Sequence, residues 1–102
     1  MSLQRDVARF VAEADVECDP AHRLLDLVSE VGEVAKEILT ASDYGGSKLS
    51  LTRDLSEELG DAAFSLYALA DRMGLDLDEA TRAAMRKYAQ RLADKGCVAS
   101  GR

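Results

Sequence analysis

Apolar residues recur every three or four positions in three successive blocks of this chain, and no block shows the strict alternation of a half-buried strand. Leu3, Val7, Phe10, Val11 and Ala14 make the first block, which predicts a helix over residues 3–15. The second opens at Asp19-Pro20. Asp is a favourable N-cap there, and proline at the first helical position gives up an N–H that has no helical partner anyway. This helix carries Leu24, Leu27, Val28, Val31, Ala35 and Ile38 on one stripe and runs to about Ala41. The paired glycines in Asp43-Tyr44-Gly45-Gly46-Ser47-Lys48 then predict a loop in which the chain reverses. Ser50 or Thr52 caps a third helix with Leu55, Leu59, Ala62, Leu66, Leu69 and Met73 on its stripe, ending at Gly74. Asp76-Leu-Asp-Glu79 opens a fourth helix in the manner of a capping box, and Gly96 closes it. The expected fold is all-α, a four-helix bundle with two long central antiparallel helices. Residues 1–96 are read as a single domain and 97–102 as a loose tail.

Composition narrows the classes of function. The chain has 102 residues, 47% hydrophobic and 31% charged, with one proline, which is ordinary for a globular domain. A core of this size is adequate but not generous, and several amphipathic helices offer more apolar face than one thin bundle covers, so a homo-oligomer is expected. A net charge of −6 gives a bulk field that repels nucleic acid. The apolar runs are too short for a membrane span or a signal peptide, so the expectation is a cytoplasmic protein with no membrane partner. Cys18 and Cys97 are too few and too isolated for a disulfide framework. His22, alone at a helix start, receives no role.

Chemistry enters with a repeat. The nine residues Leu27-Val-Ser-Glu-Val-Gly-Glu-Val-Ala35 align without gaps on Leu55-Ser-Glu-Glu-Leu-Gly-Asp-Ala-Ala63. Glu30 and Glu33 in one copy correspond to Glu58 and Asp61 in the other. Acids at i and i+3 lie on one helix face about a turn apart. Two such pairs on packed helices form one pocket of oxygen ligands, which suits Mg²⁺ or Mn²⁺ rather than zinc. One acidic helix by itself would read as a solvated face. The shared register, with both pairs on the same side of the apolar stripe, favours a site. Gly32 and Gly60 share that register too, and a glycine inside a helix costs about 1 kcal/mol relative to alanine, which points to close approach of another helix or a ligand.

The fourth helix is acidic at its start and basic at its end, with Arg82, Arg86, Lys87, Arg91 and Lys95. Complementing the helix macrodipole explains most of that arrangement. Lys87 and Arg91, at i and i+4 on one face, are equally suited to binding phosphate.

Ser29-Glu-Val-Gly-Glu33, a spacer of 24 residues, Glu58-Leu-Gly-Asp61 and then Lys87-Tyr-Ala-Gln-Arg91 together resemble the MazG-like nucleoside triphosphate pyrophosphohydrolases, which are marked by EExxE followed by ExxD. The likeness covers roughly residues 3–92. It implies an enzyme that hydrolyses (d)NTP between the α and β phosphates to a nucleoside monophosphate and pyrophosphate. It further implies that Glu30, Glu33, Glu58 and Asp61 bind Mg²⁺ and serve the catalysis, that Lys87 and Arg91 lie near the phosphates, and that the assembly is a homodimer or homotetramer. Ser29 departs from the pattern, standing where the family has its first Glu; the chain then does without that carboxylate or recruits Glu57 or Glu37. The same departure supports a second reading, a non-catalytic helical module of this fold that binds nucleotide or a partner.

Overall fold

The structure, a computed structural model, describes residues 2–46, 48 and 53–96. The expected caps Ser50 and Thr52, the tail 97–102 and Cys97 lie outside these. The described residues form four helices and no strand: α1 (Leu3–Ala14), α2 (Pro20–Ala41), α3 (Arg53–Arg72) and α4 (Leu77–Lys95). Their starts follow from capping chemistry. Ser2 accepts from the Arg5 N–H, and Asp19 accepts from the His22 N–H with Pro20 in the first turn. Gly74 and Gly96 adopt left-handed φ of 71° and 73°, which end α3 and α4 without a side-chain clash.

The pair α2 and α3 forms the centre of the molecule. It is antiparallel: Arg23 lies against Phe64, whereas Glu30 lies against Glu58 and Asp61. The least exposed residues of α2 are Arg23, Leu27, Glu30, Val34, Glu37 and Ala41, a line that repeats every three or four positions. On α3 the matching line includes Leu55, Glu58, Ala62, Ser65 and Leu69. The stripe expected for α2 is therefore divided. Leu27 enters the seam, while Leu24, Val28, Val31, Ala35 and Ile38 remain exposed, Val31 by 53%. Likewise Leu55, Ala62 and Leu69 of α3 turn inward, and Leu59, Leu66 and Met73 do not. The physical reason is width, since the apolar band spans more of each helix than one neighbour can cover.

Helix α1 packs on the C-terminal half of α3 through buried Val7 and an edge-to-face contact of Phe10 with Phe64, 5.9 Å between ring centres. Arg23, only 8% exposed, ties these parts together. Its Nη2 donates to the Val16 carbonyl at 3.0 Å, its Nη1 lies 3.7 Å from the Asp26 carboxylate, and its guanidinium sits 5.8 Å from the Phe64 ring centre.

Helix α4 touches α3 sparingly and does not pack along α2. The Leu75 N–H donates to the Ala70 carbonyl, and the Gln4 side chain closes the turn from outside. Gln4 Nε2 donates to the Leu75 carbonyl at 2.6 Å, and the Leu77 N–H donates to Gln4 Oε1 at 2.8 Å. The expected capping box is half formed: Asp76 accepts from the Glu79 N–H, while the Glu79 carboxylate pairs with Arg82 and Arg86. Beyond the turn α4 stands out as an arm. The radius of gyration, 16.5 Å, exceeds the roughly 13 Å of a compact chain of this length. No described helix is long and apolar enough to cross a membrane.

Candidate active site

The antiparallel packing of α2 on α3 brings the two acidic repeats together. Carboxylate oxygens of Glu30, Glu58 and Asp61 lie within 4.8 Å of one another, with Glu30 and Glu58 half-buried in the seam and Asp61 exposed. Glu33 is exposed and stands outside this triad, yet its negative charge is the strongest of those acting on Glu58. Partial burial, reinforced by the charges of Glu33, Asp61, Glu30 and Glu37, holds the Glu58 carboxyl above its ordinary range. Among the described residues no ion pair offsets these five acids. A set of carboxylate oxygens this close, without a neutralising side chain, is a donor set for a hard divalent cation.

The sequence left open which carboxylate stands in for the one missing at Ser29. Glu57 is engaged elsewhere, with Arg53 Nε 3.0 Å from its Oε1. Glu37 is half-buried on the same line of α2 as Glu30 and acts on Glu58 through its charge. Ser29 itself is exposed. The structure does not bring Lys87 and Arg91 to the acids. Both cations lie over the ring of their neighbour Tyr88, at 5.2 and 5.8 Å from its centre. Gly32 and Gly60 have open space around them, so no helix of the same chain explains their lack of a side chain.

Phe10, Tyr44 and Tyr67, the aromatic groups available for stacking, are dispersed. Phe10 packs on Phe64, Tyr67 is half-buried on α3, and Tyr44 is 76% exposed at a left-handed position just after α2. Two residues that shape the surroundings carried no sequence signal, Arg23 and Gln4. Each acts by bonding to backbone outside its own helix, Arg23 to Val16 and Gln4 to Leu75 and Leu77, which residue spacing does not reveal.

Comparison with known proteins agrees with this arrangement. Residues 19–94, which include all four acids and both cations, match the family model of the MazG nucleotide pyrophosphohydrolase domain. The chain is 30% identical over 97 residues to YpjD of Bacillus subtilis strain 168, an uncharacterized protein, covering 91% of this chain and 86% of that one. The crystal structure of the Bacillus-conserved MazG protein, a nucleotide pyrophosphohydrolase, superposes with a TM-score of 0.69 at 28% identity, over 84% of each chain. With the helix order, the facing acidic repeats and a family match across most of its length, the chain belongs to the MazG nucleotide pyrophosphohydrolase family.

Proposed function

We propose that the protein is a Mg²⁺-dependent nucleotide pyrophosphohydrolase, with Mn²⁺ as an alternative ion, that cleaves (d)NTP to nucleoside monophosphate and pyrophosphate. The observation that carries this reading is the convergence of the Glu30, Glu58 and Asp61 carboxylates within 4.8 Å. These three would hold the cation. When bound, it would neutralise the triphosphate, polarise the α-phosphoryl oxygen and acidify a bound water. Glu33, whose charge acts on Glu58, would join the three as a ligand or accept the water's proton. Water adds to the α-phosphorus, the bond from that phosphorus to the α–β bridging oxygen breaks, and the bridging oxygen departs with pyrophosphate. Lys87 and Arg91 contact the phosphates, where their fixed positive charge favours the departing group. Without a cation the pocket repels a triphosphate, so activity is expected to vanish in chelator.

The same reading makes residues 1–96 one working domain in the cytoplasm, assembled as a homodimer or homotetramer. The exposed apolar residues on α2, α3 and α4 support that assembly, because apolar side chains grouped along a helix face are characteristic of an interface. Sedimentation is expected to give two or four chains, and a stable monomer contradicts it.

The test is pyrophosphate release from a panel of standard and modified (d)NTPs, with Glu30→Gln and Asp61→Asn as controls. Each substitution is expected to lower turnover about 100-fold or more, as loss of a group that stabilises developing charge does. Equal trace activity in parent and variants defeats the catalytic reading. It would favour a non-catalytic nucleotide- or partner-binding module, the alternative that Ser29 supports.

A further inference from the structure

A cleft of about 500 Å³, a volume typical of small-molecule sites, lies at the elbow between α3 and α4, apart from the acidic seam. The first turns of α1 wall it on one side; the end of α3, the turn after it and the first residues of α4 wall it on the other. Some of its polar groups already have partners. Ser2 Oγ accepts from the Arg5 N–H, Gln4 bonds to Leu75 and Leu77, and Asp76 Oδ1 accepts from the Glu79 N–H. The remaining charged ends differ. Among the described residues Arg5, Asp71 and Asp78 enter no ion pair, and Arg82 has only a 3.6 Å approach to Glu79. Asp78 is half-buried, so its charge is held partly out of water with no cation paired to it.

Two guanidiniums and three carboxylates, Asp76 included, leave the lining with one excess negative charge. The acids do not make a cation site, because among the described residues three carboxylates converge within 4.8 Å only at Glu30, Glu58 and Asp61. Nor does the lining suit a phosphate or a nucleotide, whose charge three acids repel. Arginine offers only donors and an ionised aspartate only acceptors, so an occupant must present acceptor oxygens and N–H donors at separate points. We infer that the cleft binds a free basic α-amino acid, its carboxylate on Arg5 and Arg82 and its ammonium and side-chain cation on Asp71 and Asp78. A carboxylate on a guanidinium is a strong, directional pairing, and the single excess positive charge of such a ligand matches that of the cleft in magnitude and opposes it in sign. Bound there, the ligand ties α1 to the start of α4 beside the two Gln4 hydrogen bonds. A small molecule thereby holds the direction of the arm, at a place separate from the acidic triad and independent of its chemistry.

Calorimetric titration of the full chain tests this, with L-arginine and L-lysine as ligands, agmatine as the analogue without a carboxylate, and inorganic phosphate as the anion alone. One saturable site is expected for either amino acid. Agmatine is expected to bind about tenfold more weakly, the loss of one charge-assisted pair. Arg5→Ala and Asp78→Asn are each expected to weaken L-arginine binding by about tenfold, whereas Arg5→Lys, which keeps the charge, retains most of it. Arg5 is exposed, so its variants are expected to fold, and a far-UV circular dichroism spectrum equal to the parent's checks that. A second measurement reads the elbow itself. The Leu77 N–H, which donates to Gln4, is expected to exchange with solvent more slowly when L-arginine is bound. No saturable binding of either amino acid, agmatine binding as tightly as L-arginine, phosphate binding more tightly than both, or affinities untouched by Arg5→Ala and Asp78→Asn overturns the inference. Unchanged Leu77 exchange in the saturated protein overturns the tie between α1 and α4.

Discussion

Asp19 and Glu58 illustrate opposite uses of a carboxylate. The backbone N–H of His22, then its side chain, hold the Asp19 carboxyl below its usual value. That contribution to stability is present above the unfolded pKa and is lost as pH falls through the folded one. Glu58 is raised, so its contribution is present in acid, below its unfolded value, and is lost as pH rises through the folded value. At neutral pH, urea midpoints are therefore expected to fall for Asp19→Ala and to rise for Glu58→Gln in metal-free buffer. Both differences should shrink in acid, and adding Mg²⁺ should raise the midpoint of the parent more than that of Glu58→Gln. Equal responses to Mg²⁺ would remove Glu58 from the cation site. The acids were legible in the sequence because the repeat fixed their register. Arg23 was not, since a basic residue in the second turn of an acidic helix is ordinary until the loop after α1 folds over it and presents the Val16 carbonyl. Arg23→Met is expected to cost about 1–3 kcal/mol in urea unfolding, the range for stranding a buried partner.

At the scale of elements, helix limits could be read closely because caps and glycines act locally: Asp19-Pro20, Asp76, Gly74 and Gly96 all sit where the sequence placed them. The face of α2 that meets α3 was harder. Periodicity defines an apolar band, but only the partner's position selects the line through Leu27, Val34 and Ala41 over the line through Leu24, Val31 and Ile38. That choice also decides what the interior glycines mean. An ideal Cβ on Gly32 or Gly60 meets nothing within 4 Å. Alanine at either position is therefore expected to stabilise an isolated chain by about 1 kcal/mol. A lowered urea midpoint would instead mean that a second chain presses on that face.

Viewed as a whole, the molecule leaves apolar rows and its basic arm uncovered within the chain; the excess of apolar face and the basic end of α4 were legible in the sequence, but the direction of α4 was not, since it depends on contacts 71 and 73 residues apart. Gln4 supplies both contacts from one amide, its nitrogen as donor and its oxygen as acceptor. Among side chains of the same shape, only a neutral one has both functions. Glu in its place keeps the acceptor for the Leu77 N–H but sets a negative charge against the Leu75 carbonyl; once protonated, it regains a donor. Gln4→Glu would thus convert a fixed elbow into an acid-locked hinge, its arm loose at neutral pH and firm in acid.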